Sequence, residues 1–501
     1  LDHLRHRGSL TEPTLTEPSI SLRLLADPDV QTLAEGRVLL GGSPFRALRL
    51  SEGGATQVAC WFGGAPVDPG AAPQALARRL LDAGMAHPHW GGSPLRAADV
   101  TAIVPVRDDH DGLDRTVRAL ASSGVSAIVV VDDGSAMAVS ETELRLAAPE
   151  QSVAVVRHDM SLGPGAARNA ARPQVQTPLI AFVDADVVPQ PGWLQPLLGH
   201  FADPEVMAVA PRVQAAEGTG VLDRYEATQS PLDLGDVPAL VKQRSRVSYV
   251  PSACLLARGD VPHFDEALRF GEDVDLIWRM VDAGAVVRYE PGSTVTHRNR
   301  RDVAAMMRQR LGYGSAAGPL GARHPDAIAP VVISKWSAAV WGLVAIGQPA
   351  LGAVTAGASI IALRRLLENL PDPTRQAARL IARTQGSAVR QLADASTRSW
   401  WPVSFGAALV SRRARVLVGL AAVGPKLSDW ARDRPELDPM RYTTLRLLDD
   451  VSYGAGVWKG AAAAQSLAAL VPSIGSATRP VQPVKPPSTA TMAPVMPEAS
   501  G

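Results

Sequence analysis

Acidic residues cluster at three places in this chain: Asp132-Asp133-Gly134-Ser135 after the apolar run SAIVVV, Asp184-Ala185-Asp186 after TPLIAFV, and Glu272-Asp273 within FGEDVDLIWR. On an extended strand, alternate side chains point the same way, so Asp184 and Asp186 could face one divalent cation together. A cation held there, Mg2+ or Mn2+, would neutralise a departing diphosphate, while a further carboxylate beside an acceptor hydroxyl would act as general base. Those are the needs of an enzyme that handles a nucleoside diphosphate sugar. Neither acidic pair decides this alone. A D-x-D recurs by chance, and Glu or Asp in a first helical turn is favoured by the helix dipole.

The elements around these residues are consistent with a site. From Asp99 onward, VTAIVPV, SAIVVVDDGS, SVAVVRH, TPLIAFVDADVVP and EVMAVAPRV read as strands, separated by the helical stretches LDRTVRALASSG, GPGAARNAAR and WLQPLLGHF. Solidly apolar runs that alternate with helices predict an α/β domain, a mainly parallel sheet with helices on both faces. Ligands of such sheets bind beyond the carboxyl ends of the strands, where the acidic clusters fall. A chain of 501 residues with 46% hydrophobic and 20% charged residues has material for more than one core. Its formal net charge of +1 shows no basic excess for nucleic acid. Two distant cysteines, Cys60 and Cys254, exclude a disulfide scaffold or a cysteine-built zinc site, and suit a reducing compartment. Cys254 and His110 read as structural.

Residues 1–20 are expected to be a flexible lead-in without an apolar export signal, and residues 21–95 a small separate unit of short strands and a helix, PQALARRLLDAGM, closing in the turn-rich HPHWGGSP. The α/β domain should span 99–315, an apolar helical region 326–471, and a disordered Pro/Ser/Thr/Ala-rich tail 472–501. No charge interrupts the interval from Trp336 to Leu363, which exceeds the ~20 residues that cross a bilayer. Two readings stay open there: a membrane-seated segment, as one tilted span or an interfacial seat on the cytoplasmic face, or a buried helix pair turning at Gln348-Pro349.

In their order, VTAIVPVRDD, IVVVDDGS, LGPGAARN, FVDADVVPQPGWL and FGEDVDLIWR resemble the successive motifs of family 2 glycosyltransferases with the GT-A fold. More narrowly, the whole chain resembles the subgroup that serves mycofactocin biosynthesis, where a small N-terminal domain and an apolar C-terminal region flank the catalytic one. The resemblance implies an inverting hexosyltransferase with UDP-glucose as donor and the peptide-derived pre-mycofactocin core as acceptor. It implies that Asp133 meets the uracil, that Pro105 and Arg107 line the nucleotide site, and that Asp184 meets sugar or ribose hydroxyls. Arg168 would lie near the nucleotide, unless it is a structural ion pair. Asp186 would hold the metal, with His297 of TVTH as a later ligand or a structural histidine. Asp273 would be the catalytic base and Glu272 its steering neighbour. The N-terminal unit resembles winged-helix modules that bind precursor peptides, or it simply packs on the catalytic domain.

Two departures stand out. Arg107 occupies the place where the family carries a base-stacking Tyr, although a guanidinium also stacks on rings. MMRQRLGYG offers Gln309, Arg310 and Tyr313 but no Trp in the register of the QxxRW of processive members, so repeated addition is not implied. The rival enzyme reading is a membrane synthase of a lipid-linked or surface polysaccharide. A non-catalytic nucleotide or peptide binder is disfavoured because Asp186 and Asp273 are both present. A dinucleotide-binding dehydrogenase is disfavoured because PVRDDHDG, not GxGxxG, follows the first strand.

Overall fold

The structure, a computed structural model, describes residues 20–475 other than 301, 326 and 369. The expected flexible N-terminal lead-in and nearly all of the expected disordered tail lie outside the described residues.

The chain begins with β1 (Leu22–Ala26), β2 (Gln31–Leu33), β3 (Val38–Gly41) and β4 (Arg46–Arg49), followed by α1 (Glu52–Phe62), α2 (Ala71–Asp82) and β5 (Ala86–Trp90). β2, β3 and β4 form an antiparallel meander, and β5 returns to pair with β1. The stretch HPHW, expected as turn, is therefore strand. Its polar residues fit because buried His87 finds a carboxylate inside, Asp27, 2.9 Å from Nε2. Leu24, Trp61, Leu80 and Met85 make the core of this unit. It docks on the next domain through Asp27–Arg246 at 2.8 Å and Arg78–Asp203 at 2.7 Å.

The central domain runs β6 (Val100–Val106), α3 (His110–Ser122), β7 (Ala127–Asp133), α4 (Glu141–Ala147), β8 (Ser152–His158), α5 (Pro164–Ala170), β9 (Leu179–Val183) and β10 (Val187–Pro189). It continues through α6 (Leu194–Gly199), β11 (Val206–Ala215), α7 (Val221–Gln229), β12 (Ala239–Leu240), β13 (Cys254–Arg258), α8 (Glu272–Asp282), β14 (Val286–His297), α9 (Val303–Ser315) and α10 (Ala317–Arg323). The sheet order is β10-β14-β11-β13-β9-β6-β7-β8, with β12 beside β14. β6 to β9 are mutually parallel and β11 parallels β14, whereas β13 runs antiparallel to both its neighbours. Alternation along β6 sends Ala102 and Val104 to one core, with Leu113 and Leu197, and Ile103 to the other, with Phe182, Leu276 and Trp278. Both faces are thus covered, as the unbroken apolar runs require. Cys254 is fully buried in β13 and makes no disulfide.

The remainder comprises β15 (Val332–Ile333), α11 (Lys335–Ile346), α12 (Pro349–Leu366), α13 (Pro373–Thr397), α14 (Trp401–Val410), α15 (Arg412–Asp433), α16 (Pro439–Ala463) and β16 (Ser473–Ile474), the last pairing with β15. The expectation of one continuous span over Trp336–Leu363 is corrected here. Gly347, at φ +97°, ends α11 in the left-handed conformation, and Pro349 starts α12, so the interval folds as a helical hairpin. No helix among the described residues is long and apolar enough to cross a membrane.

α16 is part of the catalytic body. It lies against α9 so closely that a Cβ on Gly314, Gly456 or Gly460 would stand 2.0–2.1 Å from a facing carbonyl oxygen. Buried Arg310 of α9 ties the contact, donating to Asp449 of α16 at 3.0 Å and to Glu226 of α7 at 2.7 Å. Tyr225 Oη donates to the same Asp449 oxygen at 3.0 Å. Removing one member of such a network strands a buried charge, which costs about 3–5 kcal/mol. Asp449→Ala is therefore expected to lower stability by that amount in reversible denaturant unfolding. A change within about 0.5 kcal/mol, the range of an ordinary surface substitution, would mean that the network does not secure α16.

Candidate active site

The strand ends open into one cleft of about 1200 Å³, lined by Pro105, Arg107, Asp133, Arg168, Asp184, Asp186, Glu272, Asp273 and His297. All nine were candidate site residues in the sequence, whereas Asp132 of the first acidic cluster does not line it. Arg310 and Tyr313, of the MMRQRLGYG stretch, also line it, as do Arg398 and Tyr453 from the region read as apolar and helical.

Asp133 ends β7 and is buried. Its Oδ1 accepts from His158 Nδ1 at 2.8 Å and the Leu162 amide at 2.9 Å, and its Oδ2 from Ser161 Oγ at 2.7 Å and the Gly163 amide at 3.0 Å. Burial opposes ionisation, but the bonds from Ser161, His158, Leu162 and Gly163 outweigh it and hold the carboxyl below its usual range. All four lone-pair directions are used within the chain. In this geometry Asp133 fixes the 161–163 loop that opens α5. Neighbouring Asp132, fully buried, anchors the next loop through the Ser135 and Val139 amides and Arg157.

Arg168 of α5 is buried and joins two acidic clusters, donating to Asp184 Oδ1 at 2.6 Å and to Glu272 Oε1 at 2.9 Å. Burial disfavours its charge, yet Asp184 and Glu272 raise its pKa further. It is thus an ion-pair hub on the cleft wall. Asp184 itself is pushed up by burial against the pull of Arg168.

Glu272 and Asp273 open α8 behind Gly271, whose φ of +77° turns the chain into the helix. A Cβ on Gly271 would meet Ala316 at 2.9 Å and Leu320 at 3.0 Å, so α9 and α10 set the place of this pair. Asp273 accepts from the Val274 amide at 2.8 Å and the Ser252 amide at 3.2 Å, with lone pairs left toward the cleft. Burial raises the pKa of both carboxyls, Asp273 raises Glu272 further, and Arg168 works against the rise in each.

Asp186 faces His297 at the end of β14, 3.4 Å from Nε2, and Arg300 at 3.6 Å. Burial opposes its charge, but His297 and the nearby arginines hold its carboxyl below the usual range. Among the described residues no group of three or more His, Cys, Asp or Glu is placed to hold a metal. Asp186 with His297 supplies one oxygen and one nitrogen. A carboxylate with an imidazole nitrogen suits a transition-metal dication such as Mn2+ better than Mg2+, a hard cation that takes oxygen ligands. Arg298 lies alongside, bonded to Asp109 at 2.5 Å. Arg107 remains exposed, 3.6 Å from Asp108, at the rim beyond Pro105.

The family model of glycosyl transferase family 2 matches residues 101–258. Over 463 residues the chain is 40% identical to the pre-mycofactocin glycosyltransferase of Mycobacterium tuberculosis, covering 89% of this chain and 97% of that protein. The chain belongs to glycosyl transferase family 2. The glycosyltransferase is also 31% identical over 198 residues to the succinoglycan biosynthesis protein ExoU of Rhizobium meliloti, 37% of this chain and 58% of that one. A solved mannosyltransferase from Pyrobaculum calidifontis, in complex with GDP-Man and Mn2+, is similar at 16% identity and TM-score 0.35 over 60% of this chain and 89% of that one. The GT-A-like α/β fold of the enzyme and its acidic cleft agree with the family.

Proposed function

We propose that the enzyme transfers glucose from UDP-glucose to the pre-mycofactocin core with inversion at the anomeric carbon. Its similarity along 97% of the Mycobacterium tuberculosis protein carries this reading. Asp273 accepts the acceptor proton as the hydroxyl attacks the anomeric carbon from the face opposite the diphosphate. Glu272 and Arg168 set the charge beside it. A divalent cation bound through Asp186 and His297 would stabilise the departing UDP. Arg298 and Arg300 stand on the same side of the cleft. The test is incubation with UDP-glucose, UDP-galactose and GDP-mannose, with and without pre-mycofactocin. Acceptor-dependent release of UDP from UDP-glucose supports the reading, and release only from another donor rejects its sugar.

The N-terminal unit, in this reading, receives a precursor peptide or another protein of the same biosynthesis. The C-terminal helices seat the enzyme on the cytoplasmic face of the membrane. The tips of two helical hairpins meet where Arg413 Nη2 donates to the Val344 carbonyl at 3.1 Å. They expose Ile346, Leu351, Val354, Phe405, Leu409 and Val410, the last 88% accessible. Arg412, Arg413 and Arg415 at the same tips suit anionic headgroups and rule against deep insertion. Leu409→Asp combined with Val410→Asp is expected to lower partitioning onto anionic vesicles at least about tenfold. Wild-type protein that stays monodisperse and unbound beside such vesicles would reject the seat.

A further inference from the structure

We propose that Arg398 and Tyr453, carried by the C-terminal helices, form an acceptor subsite that selects a planar ring bearing an anionic oxygen. The proposal rests on the glycosyltransferase reading above and adds the acceptor class.

Arg398 follows α13 at the corner with α14 and lines the cleft. The other arginines of the cleft wall have acceptors: Arg168 and Arg310 in buried ion pairs, Arg107, Arg298 and Arg300 beside Asp108, Asp109 and Asp186, and Arg269 at the Ser161 carbonyl. Arg398 is the exception. No described residue offers its guanidinium a hydrogen bond or a carboxylate, and its Nε is buried without a partner. Its guanidinium carbon instead lies 3.9 Å from the centroid of the Tyr453 ring. Stacking of this kind holds the planar fork flat and leaves its N–H edges for another acceptor.

The corner that carries Arg398 is clamped from several directions. Thr397 Oγ1 donates to Asp450 at 2.8 Å, and buried Lys426 pairs with the same carboxylate at 2.8 Å. Trp458 Nε1 donates to the Ser399 carbonyl at 2.8 Å and Trp400 Nε1 to the Leu470 carbonyl at 2.8 Å. A Cβ on Gly454 would stand 1.8 Å from the Arg398 carbonyl oxygen, so α16 presses directly on this backbone. An unpaired cation fixed this firmly has already lost the freedom that binding would otherwise remove, which favours the ligand.

The surroundings give the rest of the ligand's character. Tyr249, Asp273, Tyr313 and Tyr453 line the same cleft as Arg398. Phe270, 42% exposed, packs edge-on against Tyr313 with centroids 6.4 Å apart. Ring faces of this kind accept a planar ring. The stacked, unpaired guanidinium favours an acidic oxygen over a neutral hydroxyl. In the proposed reading the donor diphosphate is served by Asp186 and Arg300, which lie 3.6 Å apart.

The test uses the full chain and reads donor and acceptor separately. Arg398→Gln and Tyr453→Leu should raise the acceptor KM at least about tenfold, the scale of one hydrogen bond to a charged group, and leave UDP affinity unchanged. Arg398→Lys should recover part of the acceptor affinity. Phenylacetate should compete with the acceptor better than 2-phenylethanol does on the wild type, and lose that advantage on Arg398→Gln. Equal competition by the acid and the alcohol overturns the proposal, as does a raised donor KM with an unchanged acceptor KM. If the wild type neither transfers nor hydrolyses UDP-glucose, the donor reading fails instead. Direct calorimetry of phenylacetate, wild type against Arg398→Gln, then still decides the subsite.

Discussion

Asp273→Asn is expected to leave UDP binding intact and to lower turnover by about 10²–10⁴-fold, the usual cost of removing a general base. The amide is nearly isosteric and can still accept a bond from the Val274 or Ser252 amide, so α8 should keep its start. What it cannot do is take the acceptor proton. The sign of the pH dependence follows from the same surroundings. Burial raises Asp273 above its ordinary value, with Arg168 opposing. A carboxyl raised in this way holds its proton to higher pH than a free one, for which the value is about 4. Activity should therefore fall as pH drops through a midpoint above the ordinary carboxylate range, measured as the acid limb of kcat/KM. Glu272→Gln removes the neighbouring negative charge, so it should move that limb to lower pH. Near-normal kcat with a raised KM in Asp273→Asn would leave the residue only a place in the first helical turn.

The catalytic sheet was readable because its strands are short, apolar on both faces and separated by helices, and because each acidic cluster sits where a strand ends. Asp133, Asp184 and Asp186 needed only that local grammar. The Glu272-Asp273 pair needed more, since helix-start acids look alike in any chain; Gly271 and its close approach to Ala316 and Leu320 are visible only in three dimensions. Arg168 had two readings in the sequence, and its bonds to Asp184 and Glu272 show the ion pair.

The C-terminal half was less legible for a physical reason. A Gly- and Ala-rich apolar helix has the same composition whether it faces lipid or presses on another helix, as α16 does on α9. Gln348-Pro349 did mark the hairpin point, but the left-handed turn at Gly347 was needed to choose it over a continuous span. Arg398 and Tyr453 carried no signal at all. They stand far along the chain from the strand ends, and only the packing of α13 and α16 brings them to the cleft.

Asp186→Ala is expected to abolish most transfer while leaving the fold intact. The loop around it does not depend on its carboxylate: Thr116 Oγ1 shares its one proton between the Ala185 carbonyl at 2.9 Å and the Val187 carbonyl at 2.8 Å, and Val187 is buried in β10. The Arg298 amide likewise bonds the Asp186 carbonyl oxygen, at 3.0 Å, through backbone alone. Removing the side chain therefore takes away charge without taking away structure. That charge sits between His297, Arg298 and Arg300, so the variant leaves an excess of positive groups that could still hold the diphosphate of UDP. Binding of UDP should weaken little, whereas support for the departing diphosphate should fall by several kcal/mol, roughly 10²–10³-fold in kcat. Chelation of the wild type should give a loss of the same order, reversed by Mg2+ or Mn2+, and should change the variant little further. Thermal unfolding of the variant should stay cooperative, with a midpoint somewhat below the wild type, because a carboxylate held below its usual range favours the folded state. A wild type that keeps full activity in chelator, or an Asp186→Ala protein that keeps its kcat, would show that the arginines alone carry the leaving group.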